Sequence, residues 1–260
     1  MKSNTEWKYW GQTDPLYGVS SVLGKSKSNE KPWTDEEFYS RGKPDWRDCL
    51  HHWEHYGVKR DSCLEVGCGA GRMTQCLQTY FAQVHAVDIS EEMIAYAKKH
   101  CEASIVSFHL TDGYRLPLPN NSVTAAFSTI VFQHFHSPED GAQYFREIHR
   151  VLSPDGTIMI NLPITVWPAG VLPKALPVLY RGMRFLVDAR ATIKRLAIKC
   201  GPRLLKTRLG RRLGEYMHGV SYEFNWLFWT LSQIGFRDIE LRIWYVKSEE
   251  RYHPFLFARK

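Results

Sequence analysis

At 260 residues the chain is long enough to bury one sizeable core with room for an insertion. Its 44% hydrophobic and 13% aromatic content suits a globular protein, and no uncharged apolar run reaches the roughly 18 residues that suggest a membrane-spanning helix. The formal charge of +7 is modest for this length, so its distribution says more than its size.

The opening residues Met1-Lys2-Ser3-Asn4-Thr5-Glu6 lack an apolar signal core, so a cytoplasmic location is expected. The aromatic, turn-rich stretch Trp7–Val19 reads as a short helix and loop packed over the carboxyl edge of a sheet, serving as a lid or as plain packing. Thr34 is placed to cap a helix opened by Asp35, Glu36 and Glu37. An amphipathic helix follows over Asp45–Tyr56. Its His51, His52 and His55, spaced i, i+1 and i+4, read as a solvated face, so no metal site is expected. The six cysteines show no metal-like pairing either, and reduced, mostly buried thiols are expected.

The stretch that organises the chain is Cys63-Leu64-Glu65-Val66-Gly67-Cys68-Gly69-Ala70-Gly71-Arg72. Cys63, Leu64 and Val66 suit a buried parallel strand, the three glycines a tight turn, and Met73–Phe81 a helix. Strand, glycine turn and helix together set backbone N–H groups and a positive helix end against a ligand, where no Cβ intrudes. Dinucleotide enzymes space these glycines G-x-G-x-x-G. Here the third glycine comes one residue early, and Glu65 precedes the turn, where it repels phosphate. A ligand carrying an ammonium and a carboxylate fits better, which disfavours a nicotinamide-dependent reductase. The stretch resembles the first motif, E-x-G-x-G-x-G, of the class I S-adenosylmethionine (SAM) methyltransferases.

Three later segments carry the same resemblance in the same order. Val84–Ile89 is a second β-rich run, and its Asp88 lies 21 residues beyond Gly67, the spacing at which such folds place a carboxylate on ribose hydroxyls. Ser90 then caps a helix headed by Glu91 and Glu92, with Met93 and Ala97 facing the sheet. A third run, Ser104–Leu110, ends at Thr111-Asp112-Gly113 and leads through Leu116–Ser122 into a fourth strand, Val123–Ile130; this is similar to the family's D-x-x-x-L-P-f-p-d-x-S pattern, with Thr124 where the family often has aspartate. Glu147–Thr157 resembles the R-V-L-k-P-g-G turn before a fifth strand, Ile158–Leu162.

The resemblance covers roughly residues 38–162 and implies the cofactor SAM, leaving as S-adenosyl-L-homocysteine. It implies that Glu65, Gly67, Cys68, Gly69, Gly71 and Arg72 hold the amino-acid end, Asp88 the ribose, and Ile89 and Asp112 the adenine, with Met93, Thr111, Gly113, Thr129 and Gln133 around them. Phe38-Tyr39-Ser40-Arg41-Gly42 resembles an f-f-x-s-G segment near the methionine end in some of these enzymes, making Tyr39 a contact. Beyond the fourth strand, Ser128–His136 lacks the (D/N/S)-P-P-(Y/F/W) motif of enzymes that methylate DNA bases on exocyclic amines. His134 stands where related chains often carry a histidine; it acts as a base for a hydroxyl acceptor or simply packs beneath the cofactor, while His136 begins a loop.

The charge is concentrated in the segment after the fifth strand. Residues 164–220 hold twelve Lys and Arg against Asp188 and Glu215, a net +10, which leaves −3 for the rest. Prolines at 168, 173 and 177 delay a helix to Val178–Lys199, an apolar stripe flanked by basic residues, and Arg203–Arg212 is a second basic run. Three readings stand: a lid over the substrate, peripheral contact of 178–212 with a membrane while serving a lipid-like acceptor, or a polyanion such as RNA, less favoured because no RNA-binding module is present. Tyr222–Ile234 reads as an aromatic helix stopped by Gly235, and the segments from Gly235 and Phe255 as a last antiparallel pair, with Trp244, Tyr245 and Tyr252 near the acceptor.

The expected architecture is α/β, a doubly wound, mostly parallel seven-stranded sheet: a cap over 1–45, a SAM-binding core over 46–162, a basic helical insertion over 163–221, and a closing helix and strands over 222–260. The expected activity is methyl transfer from SAM to a small-molecule or lipid-like acceptor, with oxygen favoured over nitrogen or carbon. The alternatives are an RNA- or polyanion-directed methyltransferase and a SAM-binding adaptor without turnover. Oligomeric state is not legible.

Overall fold

Five strands run parallel: β1 (Ser62–Val66), β2 (Gln83–Asp88), β3 (Val106–Leu110), β4 (Val123–Ser128) and β5 (Leu152–Asn161). The computed structural model describes residues 2–166 and 219–260. The features expected of the basic segment, namely the 178–199 helix, the Arg203–Arg212 run and nearly all of the 163–221 insertion, lie outside them. After the short paired strands β6 (Ile164–Thr165) and β7 (Tyr222–Glu223), an antiparallel hairpin of β8 (Arg237–Val246) and β9 (Arg251–Arg259) completes the main sheet. Its order is β3-β2-β1-β4-β5-β9-β8. Strand order reverses between β1 and β4, and a crevice opens there beyond their carboxyl ends.

Alternation along the strands separates two cores. Leu64, Val66, Ile158 and Ile160 face one layer, formed by α7 (Pro138–Val151) and α8 (Phe224–Ile234). Cys63, Ala125, Phe127 and Met159 face the other, under α4 (Gly42–Tyr56). Both faces of the central strands are covered, which is why they read as continuous apolar runs rather than alternating ones. Trp53 of α4 is fully buried and donates its indole N–H to Thr157 Oγ1 at 3.0 Å, so the polar end of the ring is answered inside the core. A third cluster joins α2 (Pro15–Val19) and α3 (Asp35–Ser40) to Met93 of α6 (Glu91–Ala97), and α1 (Lys2–Thr13) also packs on α6. Thr34 caps α3 in a reciprocal capping box with Glu37.

Of the boundaries that differ from the sequence reading, four have a clear local reason. The helix expected over Met73–Phe81 is α5, Thr74–Leu77 only. Beyond it, Thr79 and Tyr80 bond three residues back while Gln78 and Phe81 bond four back, and the Thr79 hydroxyl takes the Cys76 carbonyl, so the helix tightens into turns. β4 stops at Ser128 because Ile130 has φ +60°, which breaks an extended strand. β5 starts at Leu152 and takes the Ser153–Gly156 turn as an irregularity in its register, with Asp155 at φ +62°. α8 starts at Phe224, because Tyr222 and Glu223 pair with β6 and the Glu223 carboxylate accepts from the N–H groups of Asn225 and Trp226.

Candidate functional site

The crevice is built on the glycine turn. Gly67, Gly69 and Gly71 have φ of +73°, +52° and +85°, which side chains disfavour, and a Cβ on Gly67 would collide with Val131. A Cβ on Gly69 would lie 2.7 Å from Val19, so the turn is packed from above by residues after β4 and from α2. The turn uses its own donors. Gly67 and Cys68 N–H reach the Val87 carbonyl, Gly69 N–H reaches Asp88 Oδ2 at 2.8 Å, and Gly71 N–H reaches the Cys68 carbonyl. This corrects the expectation that these N–H groups are offered to a ligand: folding the turn tightly against β2 consumes them. A pyrophosphate would find none of the four available, which argues against a dinucleotide more strongly than glycine spacing does.

Acidic groups stand at the ends of three successive strands instead. Glu65, at the end of β1, is buried and accepts from the Thr74 hydroxyl at 2.6 Å. Burial pushes its pKa from 4.5 up to about 7, with the Asp88 charge adding and the Thr74 bond opposing. Asp88, at the end of β2, is 9% exposed; its Oδ1 takes Ser90 N–H at 2.9 Å while Oδ2 holds the glycine turn. Burial raises its pKa against those N–H bonds. Asp112, just past β3, is exposed and accepts from Tyr114 and Arg115 N–H at 2.8 and 3.0 Å, which lowers its pKa. Ser90 caps α6, with Met93 buried beneath and Ile89 half-buried beside Asp88.

The remaining candidates fall into three places. Thr111 and buried Gly113 form the same turn as Asp112: Thr111 Oγ1 donates to the Arg115 carbonyl and accepts from Gly113 N–H. Buried Tyr39 donates its hydroxyl to the Ala70 carbonyl at 2.7 Å, so it braces the glycine turn. Arg72 pairs with Asp45 of α4 at 2.9 Å. Beyond β4, Thr129 and Gln133 are half-buried and His134 closes a short turn, Phe132–His134. The His134 ring meets Trp7 of α1 edge-on at 5.0 Å, and its Nε2 lies 3.2 Å from Gln133 Nε2. Trp244 is core rather than lining, stacked on Phe255 at 3.9 Å, whereas Tyr245 and Tyr252 pair in solvent. Sequence reasoning missed Asn161 and His253, which meet beside Thr129; a polar residue ending the apolar run Ile158–Ile160 was the available signal.

No group of three or more His, Cys, Asp or Glu among the described residues could hold a metal, and no described helix is long and apolar enough to cross a membrane. The donor set fits SAM. Its sulfonium and ammonium are cationic, its ribose offers a diol to a strand-end carboxylate, and a row of Glu65, Asp88 and Asp112 is what such a ligand needs. The same row repels phosphates.

Comparison with known proteins agrees. The family model described as a methyltransferase domain matches residues 64–160. The malonyl-[acyl-carrier protein] O-methyltransferase of Hahella chejuensis is 32% identical over 114 residues, which is 42% of this chain and 40% of that one. The protein of the same name from Bacillus cereus is 35% identical over 38% of this chain and 36% of its own length. The chain thus spans about two-fifths of the length of the curated relatives it matches. Among solved structures, magnesium protoporphyrin IX methyltransferase from Synechocystis, with S-adenosylhomocysteine bound, aligns over 99% of both chains at TM-score 0.59 and 13% identity, a likeness of fold alone. With the motif order, the sheet order and these matches in agreement, residues 64–160 carry a methyltransferase domain, and the fold is that of the class I SAM-dependent methyltransferases.

Proposed function

We propose that this protein transfers a methyl group from SAM to an oxygen of a small-molecule or lipid-like acceptor. One observation carries the reading: the glycine turn keeps its N–H groups for itself while three acids stand at the ends of successive strands, which suits a sulfonium nucleoside. Oxygen is favoured because the malonyl-[acyl-carrier protein] relatives carry O-methyltransferase in their names.

SAM supplies an electrophilic methyl on a sulfonium that departs as a neutral thioether. The chain's part is placement: Asp88 orients the ribose, Glu65 balances the ammonium, and Asp112 meets the adenine amine. Holding the two reactants in line accounts for most of the rate, and a base matters only for a hydroxyl or carbon acid. His134, on the turn after β4, takes the proton of a hydroxyl acceptor; a carboxylate acceptor needs none.

The test is turnover. Full-length protein with methyl-labelled SAM is offered malonyl-[acyl-carrier protein] and a cell lysate, and the label is sought in alkali-labile esters. A labelled ester or ether supports the reading. Label confined to nitrogen or carbon removes the oxygen preference, and SAM binding with no labelled product favours the adaptor without turnover. The basic character of 164–220 supports a lipid-like acceptor at a membrane surface over a neutral soluble one; co-sedimentation with anionic vesicles and with RNA at two salt concentrations separates those partners.

A further inference from the structure

The sheet carries a pair of facing imidazoles that methyl transfer does not use. β2 and β3 pair in parallel with His85 opposite Ser107 and Val87 opposite His109, so His85 and His109 are diagonal neighbours on the sheet face that buries Val87. Nδ1 of His85 lies 3.2 Å from Nε2 of His109, with the ring planes inclined by 36°. One proton bridges the two nitrogens, because a neutral imidazole has one donor and one acceptor. The outer nitrogens, His85 Nε2 and His109 Nδ1, bond to no described residue. Neither is a buried atom left without a partner, and both residues are only half-buried, so water answers them.

The spacing is one that a metal ion imposes. Zinc with ligands at about 2.0–2.1 Å holds two tetrahedral nitrogens about 3.3 Å apart, close to the 3.2 Å found here. An ion can therefore replace the bridging proton with both strands where they are, each ring turning slightly to aim its lone pair. The displaced proton moves to an outer nitrogen, where it meets water. Burial lowers the pKa of both histidines, and the charge of His109 lowers that of His85 further. Both rings are thus neutral near pH 7, the state that ligates metal.

Two imidazoles fall short of the three side chains of a catalytic zinc site, so water fills the remaining positions. Imidazole selects late transition ions over magnesium and calcium, which take oxygen ligands. The histidines of α4 are arranged differently: His55 Nδ1 faces the His51 carbonyl at 2.7 Å, and His52 stacks on Trp244 at 4.2 Å.

We propose that His85 Nδ1 and His109 Nε2 form a two-imidazole site for a divalent transition ion such as zinc, which clips the edge strand β3 to β2. The site does not depend on the methyl-transfer reading. Full-length protein labelled with ¹⁵N at histidine is titrated with zinc chloride and, separately, with magnesium chloride. Zinc should move the His85 Nδ1 and His109 Nε2 resonances together, and magnesium should move neither. His85→Gln and His109→Gln should each need at least about tenfold more zinc, since losing even an outer-shell partner of a metal ligand costs about 10–100-fold. His51→Gln should leave the titration unchanged. Zinc should also raise the thermal midpoint of the wild type, and at the same concentration should raise neither glutamine variant. If a variant does not fold, the two nitrogens of the wild type still decide the matter. Zinc shifts in only one of the two rings, zinc affinity unchanged in both glutamine variants, or an equal response to magnesium overturns the proposal. No response of either nitrogen at millimolar zinc leaves the contact as a hydrogen bond alone and overturns it too.

Discussion

The two arms of the sheet on either side of the β1–β4 switch point treat their polar groups in opposite ways. On the β1–β2–β3 arm every acid of the crevice is already held by the protein: Glu65 by a hydroxyl, Asp88 and Asp112 by backbone N–H groups. Toward β8 and β9, the buried ring nitrogens Trp244 Nε1 and His253 Nε2 go unanswered. An acid held by donors keeps spare lone pairs, so the first arm can still accept from a cationic ligand. A donor has one proton to give, so an unanswered one offers nothing to a cation. The lesson is that acids and donors show their function differently, the former by how they are braced and the latter by what they lack.

Replacing Gly67 with alanine attacks the first arm at its base and should have the largest effect. The residue would sit at φ +73° with its Cβ driven into Val131. Left-handed strain and overpacking together should destabilise the protein by about 3 kcal/mol in urea denaturation, with SAM binding lost. A variant as stable as wild type would mean that the turn is not under steric control.

Glu65→Gln sharpens the comparison, because the two arms differ in what ionisation costs. Glu65 has a folded pKa raised from 4.5 to about 7, so the folded state holds the proton more tightly than the unfolded chain. Stability from this group is fully present below pH 4.5 and is lost as pH rises through 7. Above that, the buried carboxylate costs about 3 kcal/mol. The glutamine variant should match wild type at pH 4.5 and exceed it by roughly that amount at pH 8, while binding SAM about tenfold more weakly. SAM binding to wild type should also release a proton near pH 7, seen as a buffer-dependent heat in calorimetry. A variant less stable at pH 8 would show that Glu65 is held charged by its surroundings.

Asp88→Ala comes next. It removes the proposed ribose partner and also orphans the N–H groups of Gly69 and Ser90. SAM affinity should fall at least about tenfold by calorimetry. An unchanged affinity would remove the ribose assignment, whatever the stability does.

What the sequence made legible follows the same division. The glycine turn, Asp88 and the Ser90 cap depend on residues close together in the chain, and local spacing placed them. Five parallel strands and their order along the chain can be read from apolar runs bounded by turns. The bracing of Ala70 by Tyr39, 31 residues away, is not legible in the sequence, because spacing alone does not say which way a ring points. Asn161 and His253 lie 92 residues apart and meet only through the β5–β9 register, which pairs Asn161 with Phe255. No periodicity in one sequence carries that pairing. The short α5 escaped notice for a subtler reason: its residues suit a helix, and the switch to three-residue bonds at Thr79 is a local competition that composition does not settle.

Asp112 offers the smallest effect and the finest test of the acidic arm. Its carboxylate is exposed, so water screens whatever it does for the adenine amine, and its main visible work is to order the turn through Tyr114 and Arg115. Asp112→Asn keeps an oxygen for those N–H groups, while Asp112→Ala removes it. If the acid meets the adenine directly, both variants should weaken SAM by about threefold, the scale of an exposed polar contact. If it only shapes the turn, the asparagine variant should bind as wild type does and the alanine variant alone should lose affinity. The two outcomes differ because an asparagine oxygen can replace a carboxylate as a turn acceptor without replacing its charge. A calorimetric comparison of the pair thus separates bracing from contact at the one acid of the row that solvent can reach.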